Sequence, residues 1–308
     1  MSKEPVRGGN CTAGTEFILL GSGRGPGFQL VPFLMFLAMY MVTVLGNTIL
    51  VLIIRADSHL HTPMYFFFMN LSLLDLCYSS TIAPRAMVSF LAGSKAISYN
   101  GCATQFLFFA LFLTTEAFLL AAMAFDQYST ICNPLQYPTT MSKRVCIQLV
   151  VGSYICGCVN SMVQTGFTFM LHYCGSNEID HFFCDGPPLI SLSSSDTYIN
   201  NLVMFTVCSL IIASTALIVL VSYIYIISTI RRIHSGRRRA FSTCTSHMMA
   251  VTLFYGTTAF MYTQPTWLSS LYQRNAVSVF YTLFIPILRN KDVKNALRRT
   301  MGKKSLKT

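Results

Sequence analysis

The sequence predicts an all-α membrane protein, a bundle of seven transmembrane helices, and three observations carry that prediction. Of the 308 residues, 53% are hydrophobic and only 11% are charged, with a mean hydropathy of +0.53. Several apolar runs are long enough to cross a bilayer. Lysine and arginine gather in the polar gaps on one side of those runs. A soluble domain carries roughly 25% charged residues, and a chain of this size could not cover its surface with so few. Disorder is excluded by the same hydrophobicity.

A hydrocarbon core of about 30 Å takes about 20 apolar residues at 1.5 Å per residue. Six segments satisfy this: 28–54, 64–83, 103–125, 145–167, 202–230 and 241–262. They are far longer than barrel strands, so the spans are helical. A seventh segment, 276–288, is unusually short, giving roughly 20 Å of helix. Residues 268–275 would lengthen it only by bringing in Gln273, Arg274 and Asn275.

Orientation follows from the cations. With the amino terminus outside, the inner loops hold Arg55, Lys143, Arg144, Arg231, Arg232, Arg237, Arg238 and Arg239, and eight more lie from Arg289 to Lys307. The outer side holds Lys3, Arg7, Arg24, Arg85, Lys95 and Arg274. That asymmetry places the amino terminus outside and the carboxyl terminus inside, which requires an odd number of spans. Three regions follow: an extracellular leader at 1–27, a seven-span domain at 28–288 and a basic cytoplasmic tail at 289–308. Val293, Ala296 and Leu297 give the tail the apolar face of an interfacial helix. The leader lacks a charged start followed by an apolar run, so no cleavable signal peptide is expected. Asn10-Cys11-Thr12 is a glycosylation acceptor on the translocated side, whereas Asn70-Leu71-Ser72 lies within a span.

Within or at the end of the spans stand the acids Asp75, Glu116 and Asp126. A carboxylate in a membrane is costly and faces the bundle interior. Asp75 and Glu116, mid-span in the second and third helices, either share a cation or proton or stay protonated as structural hydrogen-bonding groups. Of 11 cysteines, Cys11, Cys102, Cys174 and Cys184 fall on the oxidising outer side. A bridge from Cys102 to the loop before the fifth span would take Cys184 or Cys174, and spacing does not choose. His172, Cys174, His181 and Cys184 form a loose ligand set without the paired spacing of a zinc site, so no metal is expected. A net charge of +11 raises the question of nucleic acid, but no basic, aromatic-interleaved surface or nucleic-acid motif is present.

The motifs resemble those of odorant (olfactory) receptors, within the rhodopsin-like G-protein-coupled receptors. The resemblance runs from Phe17 through Gly46-Asn47, Leu60-His61-Thr62-Pro63-Met64-Tyr65-Phe66-Phe67 and Leu71-Ser72-Leu73-Leu74-Asp75-Leu76-Cys77. It continues through Met123-Ala124-Phe125-Asp126-Gln127-Tyr128, Ser222-Tyr223, Ala240-Phe241-Ser242-Thr243-Cys244-Thr245-Ser246-His247 and Leu288-Arg289-Asn290-Lys291-Asp292-Val293. It implies a plasma-membrane, multi-pass receptor that binds small volatile molecules and activates an olfactory-type stimulatory G protein. The implied pocket lies among the outer halves of the third, fifth and sixth spans. The implied bridge is Cys102–Cys184, and the resemblance makes Asp75 and Glu116 a cation-binding pair, for an ion such as sodium, with no other cofactor. Asp126, Gln127, Tyr128, Tyr223 and His247 occupy the positions of the G-protein-coupling switch.

The implied pocket can be checked against residue chemistry. The third span offers Phe109, Ala110, Leu113, Thr114 and Ala117, the fifth Met204, Val207, Cys208 and Ile211, and the sixth Tyr255, Thr258, Ala259 and Tyr262. With only hydroxyl and thiol polarity, this lining suits an uncharged, mostly apolar ligand and not an amine. The alternative is that these residues simply pack helices together.

Three departures from the family pattern bear on function. Where the family has Asp-Arg-Tyr, this chain has Asp126-Gln127-Tyr128. Glutamine lacks the charge and the guanidinium fork. The Asn-Pro-x-x-Tyr of the seventh span is missing, a deficit of about two turns, or roughly 10 Å. Ser194 stands where a cysteine usually pairs with the one at Cys174, leaving Cys11 as a remote partner or Cys174 as a free thiol. The first two departures strike the same switch and predict weakened or absent signalling. The runner-up is a non-signalling receptor-like protein. A transporter or channel is a more distant alternative, since the two halves show no internal repeat and no ionisable path. An enzyme is not expected: His59-x-His61 and Cys156-x-Cys158 form no catalytic constellation.

Overall fold

The structure is a computed structural model that describes residues 16–19, 26–91, 96–174, 177–179, 181, 183–232 and 247–259. The short seventh span, the basic tail, Asn10 and Tyr262 lie outside the described residues. Among the described residues, five helices are long and apolar enough to cross a membrane. They are α1 (Pro26–Ala56), α2 (Pro63–Leu91), α3 (Tyr99–Cys132), α5 (Lys143–Phe169) and α7 (Tyr198–Arg232). Between them lie the one-turn α4 (Tyr137–Thr140) and the short α6 (Gly186–Leu192). A further helical stretch at 247–259, here α8, belongs to the sixth predicted span.

The helices overrun the apolar runs at both ends. At a membrane surface the backbone still gains by staying helical, and polar side chains can turn inward to partners or outward to water. Helix α3 shows both. Ser98 caps its start, accepting a hydrogen bond from the Gly101 N–H at 3.2 Å. Its last two turns carry Asp126 and Gln127, both buried within the bundle.

Helix α3 is the most enclosed of the five and packs against α2, α5 and α7. The contact with α5 is close because of Gly157. A Cβ there would sit 2.3 Å from Thr115 Oγ1 and 2.8 Å from the Leu111 carbonyl. A small residue that lets two backbones approach is a common basis of helix packing in lipid, where apolar burial alone drives little association. The outward faces of α5 and α7 are aliphatic: Val159, Met162, Leu210, Leu217 and Ile224 are all exposed. Such a surface suits lipid and would be an aggregation hazard in water.

One element departs from the all-α expectation. Strands β1 (Glu16–Leu19), β2 (Ala96–Ser98) and β3 (Glu178–Ile179) form a small sheet in the order β2-β1-β3. β1 runs antiparallel to β2, with Phe17 opposite Ile97, and parallel to β3, with Leu19 opposite Ile179. The stretch read from sequence as part of a polar leader therefore contributes Phe17 and Leu19, each 1% exposed, to a second core with Ile97, Cys102, Phe106, Cys184 and Leu189. Burying two large side chains is what holds so short a strand in place.

Apart from Arg85, whose guanidinium donates to the Ala96 carbonyl beside the sheet, the described lysines and arginines mark the opposite end of the bundle. Arg55 closes α1, Lys143 and Arg144 open α5, and Arg231 and Arg232 close α7. The bundle thus has a disulfide end, where the sheet lies, and a basic end.

Candidate functional site

At the disulfide end, Cys102 and Cys184 are bonded across 82 residues of sequence, with Cα atoms 5.6 Å apart. This selects Cys184 from the two partners left open by spacing. Gln105, one turn below Cys102, braces the same loop. Its Oε1 accepts from the Cys184 N–H at 3.1 Å, and its Nε2 donates to the Thr81 carbonyl of α2 at 3.1 Å. Asp185 then caps α6, accepting from the Gly186 N–H at 2.8 Å. Gly186 is pressed against α7: a Cβ there would lie 2.5 Å from Met204 Cε and 3.4 Å from Phe106. The loop is thus seated directly on the outer halves of α3 and α7.

Phe183 carries the loop into the bundle. Its ring lies 5.1 Å from Phe109 and 4.6 Å from His181, and Phe109 in turn meets Tyr78 of α2 at 5.7 Å. Phe109, Leu113, Ala117 and Phe183 belong to one buried cluster, with Ile211 and Tyr255 packed against it. Tyr255 ties α8 to α3 by donating to the Ala117 carbonyl at 3.0 Å. Ala110 is buried on the same helix, and Val207 and Ala259 are half-buried. Thr258 is buried, and its hydroxyl has no hydrogen-bond partner among the described residues.

Three predicted lining residues are engaged elsewhere. The Thr114 hydroxyl accepts a hydrogen bond from Asn160 Nδ2 of α5 at 2.8 Å, which turns it toward the fourth span. Met204 and Cys208 pack with Leu171 and Ile190 beneath α6, and Gln164 reaches Cys208 Sγ at 3.9 Å. Gln105, Asn160, Gln164 and Phe183 were not singled out from sequence. A buried amide in the middle of a span was the available signal for Asn160 and Gln164.

Asp75 and Glu116 are both buried, on helices α2 and α3 that pack together. Ser79 donates to the Asp75 carbonyl at 2.7 Å, one turn along. The loose set His172, Cys174, His181 and Cys184 is unsuited to a metal ion, because the sulfurs of Cys174 and Cys184 are both in disulfides.

At the basic end, Asp126 Oδ1 accepts from the Tyr137 hydroxyl of α4 at 3.0 Å. Burial, with a further contribution from the Asp126 carboxylate, pushes the Tyr137 phenol up to about 12. The folded protein therefore holds that proton below pH 10 and loses its stabilising effect only as pH climbs toward 12. The partner of the Asp126 carboxylate here is thus a neutral donor. Gln127 turns the other way, its Oε1 lying 3.4 Å from the Tyr223 hydroxyl of α7. Tyr223 also meets His247 Nδ1 of α8. One phenolic proton cannot serve both partners. The chain is satisfied when His247 carries its hydrogen on Nδ1 and donates to Tyr223, which donates on to Gln127. Tyr128 lies outside this chain, beside Phe125 and Tyr225, with its hydroxyl accepting from Asn133 Nδ2 at 3.4 Å.

Long apolar helices, a loop bridged to the head of the third span, and polar contacts joining the third, fifth and sixth spans at the other end are the frame of a rhodopsin-like fold. The solved structure of squid rhodopsin shares the fold, with a TM-score of 0.65 over 91% of this chain and 87% of that one at 15% identity. The family model described as "Olfactory receptor" matches residues 36–297. Human "Olfactory receptor OR9H1" is 56% identical over 96% of this chain and 99% of its own length. Mouse "Olfactory receptor 9S13" is 54% identical over 94% and 90%. The chain belongs to the olfactory receptor family: it is a multi-pass membrane receptor and not an enzyme.

Proposed function

We propose that this receptor binds small, uncharged, mostly apolar odorants between α3, α7 and α8, beneath the bridged loop. It would lie in the plasma membrane with seven spans, the amino terminus outside and the basic tail inside. The observation that carries the reading is Phe183, which the loop lowers onto Phe109 above Leu113, Ala117, Ile211 and Tyr255. These walls offer an odorant dispersion contacts, and the Thr258 hydroxyl offers one polar partner. An amine would find no compensating charge among these lining residues.

Binding is read out at the basic end, where a stimulatory G protein of the olfactory type docks. Gln127 links the third span to Tyr223 and His247 without a charge. The resting contact is weaker than an arginine would make, and the charged group that meets the G protein is gone. Together with the short seventh span, this favours weakened signalling. In the limit it favours the second reading, a receptor-like protein that binds without signalling. Asp75 and Glu116 would hold a monovalent cation such as sodium, or share a proton, between α2 and α3.

The test is an odorant panel applied to cells displaying the receptor, with cyclic AMP as readout. Phe109→Ala and Tyr255→Phe should shift the response to uncharged ligands at unchanged surface density. Unchanged dose–response curves across both variants would contradict the pocket.

A further inference from the structure

We infer that Cys174 is bonded to Cys11, so that a second disulfide ties the amino-terminal segment to the loop over the bundle. Among the described residues, six cysteines are free thiols: Cys77, Cys132, Cys146, Cys156, Cys158 and Cys208. Cys102 and Cys184 are bonded to each other. Cys174 is disulfide-bonded too, and of the 11 cysteines only Cys11 and Cys244 remain as its partner.

Geometry chooses between them. Cys174 sits beside Ser194, which accepts from the Cys174 N–H at 3.3 Å and donates to its carbonyl at 2.5 Å. Ser194 thus stands opposite Cys174 but can join it only by hydrogen bonds, and the sulfur must look elsewhere. Cys244 lies three residues before His247, which touches Tyr223 near the basic end of α7. From Tyr198, where α7 begins close to Ser194, to Tyr223 the helix rises about 37 Å. Three residues of chain span at most about 11 Å, so Cys244 cannot reach Cys174.

Cys11 can. Strand β1 pairs in parallel with β3, Ile18 beside Glu178 and Leu19 beside Ile179. The Ile18 N–H donates to the Asn177 carbonyl at 2.8 Å, and Asn177 Nδ2 donates to the Glu16 carbonyl at 3.1 Å. The chain before Glu16 and the chain before Asn177 therefore start from one place. Cys11 is five residues back along the first and Cys174 three back along the second. Extended reaches of about 17 Å and about 10 Å leave ample slack for the Cα separation of about 5.5 Å that a disulfide needs. In forming the bond the two thiols give up two electrons and two protons to a disulfide-carrying oxidase of the secretory compartment, itself reduced to a dithiol. The inference does not depend on the odorant or the G protein.

The test is disulfide mapping on full-length receptor taken from the cell surface, alkylated without reduction and then freed of glycan. A protease that cuts after aromatic residues isolates Cys174 between Tyr173 and Phe182, apart from Cys184, and separates Cys11 at Phe17. The expected product is a Cys11 peptide linked to a Cys174 peptide, split by reductant. Alkylated Cys11, or Cys174 linked to any other cysteine, overturns the inference. As a second measure, Cys11→Ser, Cys174→Ser and the double variant should lower surface density equally. A double variant clearly worse than either single would count against a shared bond.

Discussion

The two ends of this bundle are held by opposite kinds of chemistry. At the disulfide end, a covalent bond, a three-stranded sheet and a core of aromatic rings fix the loop on α3. Phe17 alone meets Tyr99 at 5.9 Å and Tyr173 at 5.2 Å, and Tyr99 donates to the Phe169 carbonyl. At the basic end the helices are joined by single side-chain contacts: Asp126 to Tyr137, Gln127 to Tyr223 to His247, and Cys132 to Thr229. A hydrogen bond of this kind contributes about 0.5–1.5 kcal/mol net. The difference suits a receptor. One end keeps its shape, while the other holds contacts weak enough for a ligand's differential affinity to rearrange.

Breaking the rigid end should have the largest effects. Cys184→Ser removes the bridge and should cost about 2–5 kcal/mol, read as loss of receptor from the cell surface. Surface density at the unsubstituted level would mean that the sheet and aromatic core suffice without it. Phe17→Ala empties a fully buried site and should cost about 3–5 kcal/mol, seen as a lower melting temperature of the purified receptor. A melting temperature like that of an exposed-residue control would show that β1 is not anchored there.

In the middle of the bundle, Gly157→Val drives side-chain atoms toward the Leu111 carbonyl and should cost about 1–3 kcal/mol. The same thermal assay checks it, with Gly152→Ala as the control, since nothing lies within 4 Å of a Cβ at Gly152. Equal melting temperatures for the two variants would contradict the close α3–α5 contact. At the basic end the stability effects should be smallest. Tyr137→Phe removes the single hydrogen bond to Asp126 and should cost about 0.5–1.5 kcal/mol. It should change basal cyclic AMP more than surface density. The reverse pattern would make that contact structural and not part of the switch.

Much of this was legible in the sequence. The apolar runs located the helices, because a span in lipid must be both long and apolar. Cysteine position left the bridge at Cys102 two partners, and family resemblance named the one found. The sheet was not legible. Its strands are two to four residues long, and the partners of β1 lie about 80 and 160 residues away, so no local pattern marks them. Thr114 was assigned to the pocket implied by the family resemblance from its helical spacing, which gives a face but not the neighbour. Asn160 on α5 is what claims its hydroxyl. Gly157 carries no side chain for a hydrophobic pattern to register, although it sets how closely two helices approach. The inner switch was half legible: the sequence showed the missing arginine, but not that Asp126 and Gln127 turn to separate partners.

The most direct measurement compares ligand-evoked cyclic AMP from the receptor with that from a form carrying Gln127→Arg and a seventh span lengthened by two turns, at matched surface density and with the same odorant. A clearly larger maximal response from the restored form is the expected result, because the charged link at the basic end is regained. An equal, robust response from the unaltered chain would contradict the view that its neutral contacts weaken signalling.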